Sequence, residues 1–564
     1  MIRNPRFLKL LLSKGIVSEE DLEGYGRKFS DNAFSILMHL VQRRIAKRSE
    51  LGKLWGDSIG ISYVDLEKTL FDRDIVQSLP ETFARRNHII LVYKLGEAVT
   101  AVTSHPTDES VLREAEKIIG KPISPLFAFP DEIEAAVDVE YRSSDGLKDL
   151  SGRIGSTALL ESGDKITREQ LEKIAGSEAV IELAREIILL GIKEHASDIH
   201  IDPGEDLVRV RFRIDGVLQD MIRLEHHVLS PLASRLKILA DVDIAARRKP
   251  QEGRINFPLS NKTIDMRFSC VPTIYGEKTV LRILGQSADR DIPDLLELNF
   301  SRSVHDKLTE VLSHPNGIFF VTGPTGSGKT TTLFAALKYL NKPGVNIMSI
   351  EDPIEYRLPG INQVQVNPGT DLDFAMALRS FLRQDPDIIL VGEIRDLETA
   401  RIAAQAALTG HLVLATLHTN DALLALARLI DIGVEPSLLA PSLIGTMAQR
   451  LVRKICEHCK VKYRLSKDEA ERFFLRAGDR EFFFYRGKGC GQCNQTGYSG
   501  RIAVHEICVV DDELRRLIVR DTPVGELYAC AEKHGYRPMY YDGLKKVLRG
   551  LTTISEIDRV CRHA

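Results

Sequence analysis

Gly323-Pro324-Thr325-Gly326-Ser327-Gly328-Lys329-Thr330, followed by Thr331, sets the reading of the whole chain. It fits the phosphate-loop pattern G-x-x-x-x-G-K-[ST], and its flanks supply the context that the pattern needs. Ile318, Phe319, Phe320 and Val321 before it form an apolar run of strand length. Leu333, Leu337 and Leu340 behind it share one face of a helix. In a strand–loop–helix unit, glycines let backbone N–H groups curl around a phosphate, and the helix N-terminus adds a favourable field. Lys329 is then placed to reach the β- and γ-phosphates of a nucleoside triphosphate, and the Thr330 hydroxyl to ligate Mg²⁺. The stretch predicts a nucleotide site over 323–331.

Outward from this loop, strands and helices alternate from about 300 to 455, which predicts a parallel sheet with crossover helices. Apolar runs at 346–350, 387–391 and 412–416 each end in polar residues: Glu351-Asp352-Pro353-Ile354-Glu355, Gly392-Glu393-Ile394-Arg395-Asp396 and Leu417-His418-Thr419-Asn420. Ligands of open α/β sheets sit at the carboxyl ends of strands, so these groups are expected to converge on the loop. Phosphoryl transfer needs an Mg²⁺ partner and a group that orients the attacking water. Glu393 suits the metal and its water shell, and Glu355, beyond the Pro353 turn, suits the water. His418 at a strand tip is expected to sense the γ-phosphate, while His411 starts the same strand. Arg379 and Arg383 lie four apart on a helix and face the same way. Their plain alternative is an ion pair with Asp385 or Asp387.

Composition sets the class. The 564 residues suffice for about four domains, and 43% hydrophobic with 27% charged residues is an ordinary globular balance. A net charge of -3 argues against a protein that coats nucleic acid. No stretch approaches the roughly 20 apolar residues of a membrane span. Leu10-Leu11-Leu12 is followed at once by Lys14, Glu19, Glu20 and Asp21, which reads as an amphipathic helix and a turn rather than a signal peptide. Eight cysteines without an export signal then imply a reducing, cytoplasmic compartment in which metal binding outranks disulfides. Cys456-Glu457-His458-Cys459 and Cys490-Gly491-Gln492-Cys493 are two C-x-x-C knuckles with a moderate insert, the pattern of a tetrahedral Cys₄ zinc site. Cys270, Cys508, Cys530 and Cys561 read as isolated, buried residues.

The chain divides into an N-terminal docking or regulatory domain at 1–145, a linker at 146–170, a second α+β unit at 171–290 and the nucleotide-binding core at 291–455. A Cys₄ element at 456–500 and a helical subdomain at 501–564 complete it. In the first domain Phe7, Leu11 and Leu22, then Phe34, Leu37 and Leu40, mark helices that lead to a strand at 88–92. In the second unit a helix at 179–193 precedes strands that alternate Val208, Val210, Phe212 against Arg209, Arg211, Arg213, and Ile264, Met266, Phe268 against Asp265, Arg267. Arg213-Ile214-Asp215-Gly216 reads as a hairpin turn. Basic residues gather here at Arg247, Arg248, Lys249, Arg254, Arg267 and Arg282; most suit a solvated sheet face, and a minority suit a phosphate on a neighbouring surface. A polar stretch at 286–293 reads as a hinge to the core. Leu514, Leu517 and Ile518 mark a helical tail that 543–560 closes.

These motifs together resemble the secretion ATPases of type II secretion systems and type IV pilus assembly, over about 170–564. The 323–332 segment is similar to that family's Walker A segment, 350–356 to its Asp box, 389–396 to its Walker B and 410–420 to its His box. DVDIAARRKPQEGR at 241–254, AQRLVR at 448–453 and GYSGR at 497–501 also match, and the four cysteines occupy the family's zinc element. The resemblance implies a RecA-like P-loop ATPase domain, a preceding small α+β domain of PAS-like kind, an N-terminal mixed α/β domain and the zinc element. It implies that Glu355 is the catalytic glutamate and Glu393 the Walker B glutamate, with Arg267, Arg282, Arg379 and Arg383 approaching the γ-phosphate. Its cofactors would be ATP, Mg²⁺ and Zn²⁺. It further implies a homohexameric motor on the cytoplasmic face of a bacterial inner membrane, docked through its N-terminal domain on membrane platform proteins. AQRLVR and Gly433-Val434-Glu435-Pro436 look closer to the type II secretion branch than to pilus extension. Some members bind cyclic di-GMP through paired motifs beginning Arg-Leu-Gly; here Arg6, Leu11, Gly15 and Leu22 fit one copy. Leu8 and Phe29 depart from it, and a second copy near 33–55 is poorer, so partner docking is the expectation. The different-class reading, a nucleic-acid translocating motor, is opposed by the charge and by the lack of an aromatic-plus-basic strand-binding patch.

Overall fold

The first helix, Pro5–Ser13, starts where Asn4 caps it: the Asn4 side chain accepts from the Phe7 N–H, and Pro5 occupies the first turn, where no N–H is needed. The computed structural model describes residues 4–29, 32–67, 69, 71–142, 152, 154, 168–260, 262–284, 292–464, 483–520 and 522–561. They fall into two compact units, Met1–Leu284 and Gly285–Ala564. Most of the linker expected at 146–170 and most of the hinge expected at 286–293 lie outside the described residues.

In the first unit, Phe7, Leu11, Leu37 and Leu40 bury their side chains with Trp55, Phe127 and Phe129 in one apolar cluster. A three-stranded sheet follows, of β1 (Ile89–Leu95), β2 (Ala98–Thr103) and β3 (Ile123–Phe127). Helix Glu178–Lys193 leads into a six-stranded antiparallel sheet of β4 (Asp198–Pro203), β5 (Leu207–Ile214), β6 (Val217–Glu225), β7 (Gln251–Leu259), β8 (Lys262–Thr273) and β9 (Gly276–Ile283), in the order β6-β5-β4-β9-β8-β7. The alternation read from the sequence holds: Val208, Val210, Phe212, Ile264, Met266 and Phe268 are all buried against that helix and Leu229–Leu239. Asp215 and Gly216 take φ of 49° and 83° at the β5–β6 hairpin, the left-handed pair such a two-residue turn requires. The 1–145 region and the second α+β part share this one unit. Buried Lys193 joins them, donating to the Glu140 and Arg142 carbonyls, while Arg73 pairs with Glu194.

The second unit is built on a seven-stranded sheet in the order β12-β11-β13-β14-β10-β15-β18. Its strands are β10 (Gly317–Thr322), β11 (Ile347–Glu351), β12 (Asn362–Gln365), β13 (Ile388–Val391), β14 (Leu412–Leu417), β15 (Leu443–Ile455) and β18 (Tyr498–Val509). All neighbours are parallel except β15 and β18. Successive residues alternate between two apolar layers: Phe320, Val413 and Ile389 face one, and Phe319, Val321, Leu414 and Leu390 face the other. Burial on both faces is why these strands read as unbroken apolar runs, and each buried Phe contributes about 1.5–3 kcal/mol. The antiparallel ribbon β15–β18 carries at its tip β16 (Lys460–Arg464), β17 (Phe483–Gly487) and the four cysteines. β18 thus takes part of the segment expected to be helical from 501 into the central sheet. The closing stretch at 543–560 is two helices, Met539–Leu548 and Ile554–Cys561, with Gly550 between them at φ 70°.

Candidate active site

The loop of 323–328 leaves β10 and enters helix Lys329–Leu340, with Gly328 at the helix cap in the left-handed region, φ 88° and ψ 16°. A Cβ on Gly328 would stand 2.7 Å from Gln449 Nε2, and one on Gly323 2.6 Å from the Gln449 carbonyl oxygen. Gln449 pins the loop from the neighbouring strand β15: its Nε2 donates to the Ser327 carbonyl (2.8 Å), and its Oε1 accepts from the Thr332 hydroxyl (2.7 Å). Pro324, Thr325 and Gly326 are exposed at the crest, and Thr330 and Thr331 are half-buried. Ser327 Oγ is buried with no hydrogen-bond partner among the described residues. Such an orphaned polar atom inside a ring of loop amides fits a phosphate or its hydrated cation.

β14 lies between β10 and β13, so the tips of three adjacent strands meet at this loop. Buried Lys329 donates to the carbonyls of Gly323 (2.8 Å) and Pro324 (3.2 Å). Burial lowers its pKa to about 8, although Glu393 and Glu355 pull the other way. Much of Glu355 is exposed, yet its carboxyl is set back among loop atoms. That desolvation holds it above the usual carboxylate range, opposed by a hydrogen bond from the Thr330 hydroxyl and by the Lys329 charge. Glu393 accepts from Arg395 (2.5 Å) and stands 3.5 Å from His418 Nε2. Burial and the Lys329 charge lower the pKa of His418, so its imidazole is neutral at pH 7. The expected convergence of Lys329, Thr330, Glu355, Glu393 and His418 is therefore what the structure contains.

Several positioning residues went unread in the sequence. Thr322 at the end of β10 bonds the Thr419 N–H (2.8 Å) and hydroxyl (2.7 Å), and Arg450 donates to the Asn420 carbonyl (2.8 Å), which fixes the tip that carries His418. Gln363 on β12 braces the turn before Glu355, donating to Glu351 (3.1 Å) and to the Tyr356 carbonyl (2.9 Å). Gln449 had a signal: it is a polar residue inside the apolar strand β15, quoted only as part of AQRLVR.

Other candidates lie elsewhere. His411 immediately precedes β14 and bonds the Ala406 carbonyl (2.9 Å). The length of the strand sets it about 20 Å from His418 at about 3.3 Å per residue. Arg379 pairs with Glu398, and Arg383 donates to the Arg379 carbonyl (3.0 Å), so neither makes the plain alternative, an ion pair with Asp385 or Asp387. In the first unit, strand registry sets Arg254, Arg267, Arg282, Asp198 and Arg213 in one row across β7, β8, β9, β4 and β5. Arg254, Arg267 and Arg282 are exposed, and buried Asp198 accepts from Arg282 Nε (2.8 Å).

At the ribbon tip, Cys456 and Cys490 sulfurs are 3.9 Å apart, Cys459 and Cys493 3.9 Å, and Cys490 and Cys493 3.7 Å. Four sulfurs about 2.3 Å from one ion would be separated by about 3.8 Å, so the set fits a tetrahedral metal. Backbone N–H groups of Cys490 and Gly497 point at Cys493 Sγ; they outweigh its burial and hold that thiol at about 7. Cys530 is not isolated as expected, since Asp511 and His534 surround it.

The chain matches the Type II/IV secretion system protein family over residues 173–559 and the MshEN domain over 59–146. The second match falls after both stretches in which a dinucleotide motif was sought. Type II secretion system protein E of Dickeya dadantii is 42% identical over 490 residues, covering 86% of this chain and 97% of that protein. Its namesake in Xanthomonas campestris is 39% identical and covers 99% of both. The type IV pilus assembly ATPase PilB of Thermus thermophilus is 41% identical over 92% of this chain, which spans 58% of that relative's length. The solved Yersinia pseudotuberculosis ATPase DotB matches with TM-score 0.50 at 20% identity, over 68% of this chain and 94% of that one, a likeness of fold. No helix among the described residues is long and apolar enough to cross a membrane.

Proposed function

We propose the following from the premise that this chain belongs to the type II/IV secretion system protein family: it is an ATP hydrolase whose turnover drives protein export and pseudopilus assembly in a type II secretion system. The observation that carries the reading is the meeting of the Glu355 carboxyl, the Thr330 hydroxyl and the Lys329 ammonium at the phosphate loop, with Glu393 beside them. Lys329 pairs with phosphate oxygens. Thr330, and Glu393 through water, would hold Mg²⁺, which when bound neutralises phosphate charge. Glu355 orients the attacking water and takes its proton; its raised pKa brings it toward the operating pH. Neutral His418 links Glu393 to the γ-phosphate end of the site. Arg267, Arg282, Arg379 and Arg383 supply further positive charge to the nucleotide in a homohexamer. The four-cysteine set would hold Zn²⁺ and brace the ribbon tip.

The protein works at the cytoplasmic face of an inner membrane, docked by its N-terminal domain on platform proteins there. DNA is not its track: the net charge of -3 gives a polyanion no general attraction. A second reading, pilus extension, is favoured by the 41% identity to the Thermus relative. Glu355→Gln tests the site: hydrolysis is expected to fall by about 10²–10⁴-fold while nucleotide affinity is retained, because the amide keeps shape but cannot take a proton. Hydrolysis at the unsubstituted rate overturns the assignment. Restoration of export, or instead of pilus extension, in strains lacking either ATPase separates the two readings.

A further inference from the structure

A second metal-ligating constellation stands apart from the four-cysteine set, in the helices that close the second unit. Asp511 caps helix Asp512–Val519: its Oδ1 accepts from the Leu514 N–H (2.8 Å). That bond leaves Oδ2, which meets His534 Nδ1 at 2.5 Å. Cys530 lies one turn before His534, within helix Val524–Lys533, whose C-terminal cap His534 is. The four-residue spacing puts both on one face, and Cys530 Sγ stands 3.9 Å from the same Nδ1 atom. The three ligand atoms all lie within 4.8 Å of one another. The other ring nitrogen, Nε2, faces the Glu513 carboxylate at 3.5 Å. An Asp–His ion pair alone needs neither a thiol on the bonded nitrogen nor a carboxylate on the opposite one. Both are what a metal-bound imidazole uses: a second ligand beside it, and an outer carboxylate that holds the remaining N–H and leaves the first nitrogen's lone pair free.

We propose that Asp511, Cys530 and His534 form a second binding site for a divalent transition metal of the Zn²⁺ class, with Glu513 as its outer-sphere partner. Sulfur, nitrogen and oxygen donors together suit Zn²⁺ rather than Ca²⁺ or Mg²⁺. Three donors at about 2.0–2.3 Å from one ion are separated by about 3.3–3.7 Å. Nδ1 and Sγ are nearly so placed; Oδ2 must draw back from Nδ1, which Asp511 and His534, both more than a third exposed, permit by side-chain rotation. Binding displaces the thiol proton of Cys530, so uptake releases a proton and weakens as pH falls. The bound ion ties the start of helix Asp512–Val519 to the end of Val524–Lys533 and keeps one position open to solvent.

The test titrates the full-length reduced protein, as purified, with Zn²⁺ and with Co²⁺, then counts bound metal by elemental analysis. His534→Ala, at an exposed position, and Asp511→Asn, which keeps the capping acceptor, are carried alongside. The unsubstituted protein is expected to bind one more equivalent than His534→Ala, whatever the occupancy of the four-cysteine set, and its Co²⁺ form to show thiolate charge-transfer absorption, beyond that of the four-cysteine set, that Cys530→Ser lacks. Glu513→Gln is expected to bind that equivalent about 10–100-fold more weakly. Equal metal content in the unsubstituted protein and His534→Ala, both folded by circular dichroism, overturns the site and leaves an ordinary ion pair.

Discussion

The two large sheets put their chemistry in different places. In the seven-stranded sheet both faces are buried, so Lys329, Glu355, Glu393 and His418 gather beyond the strand ends. In the six-stranded antiparallel sheet one face packs on helices, and the row Arg254, Arg267, Arg282 stands on the other. A parallel sheet needs crossover helices on both sides, which leaves only its strand ends to loops. An antiparallel sheet closes by hairpins and can keep a whole face for solvent or a ligand. The first arrangement gathers a few groups at one point; the second offers a broad, screened field of charge.

Substitutions can break or sharpen this contrast. Lys329→Ala, at the strand end, is expected to lower the hydrolysis rate by about 10²–10³-fold, since one preorganised charge is lost from a closed site. Arg267→Ala, on the open face, is expected to cost about 10²-fold in hydrolysis with nucleotide affinity nearly unchanged. A steady-state assay that finds no loss for Arg267→Ala makes the arginine row a solvated surface and the contrast absolute. Gln449→Ala leaves the Ser327 carbonyl and the Thr332 hydroxyl without their partner. About 1–3 kcal/mol of stability and about tenfold in rate are expected to go, read by thermal melting and by kcat.

A pH titration probes the same pole more gently. Lys329 in the free protein loses its charge as pH rises through about 8, whereas bound phosphate favours the charged form. Binding above that pH therefore takes up a proton, and ATP affinity measured by calorimetry is expected to fall by at most about tenfold per pH unit. Lys329→Arg, which stays charged, should flatten that fall. The smallest effect is expected at the far end of β14: His411→Ala should change hydrolysis by less than about twofold, against a clear loss for His418→Ala. Equal losses at both histidines would remove the distinction between the two strand ends.

By itself the sequence determined the features whose physics is local. The glycines and Lys329 of the loop, the C-x-x-C spacing, the Asp215-Gly216 turn and the alternation of β5 and β8 are each settled within a few residues, by allowed backbone angles, ligand reach and side-chain alternation. What only the tertiary structure decided depends on partners far apart in the chain. Gln449 lies 122 residues from the Ser327 carbonyl it holds, and Thr322 lies 97 from Thr419. No spacing rule reaches across such separations, because strand order and not sequence distance makes these residues neighbours. The parallel direction of the strands likewise made His418 a member of the site and His411 a remote residue, though both flank the one strand β14. Strand order placed Tyr498–Val509 in the central sheet where a helical segment was read, since a strand's place is settled by the neighbour that completes its hydrogen bonds. Cys530 read as a lone buried cysteine until helix packing brought Asp511 and His534 to its sulfur, a proximity that exists only once the chain has folded.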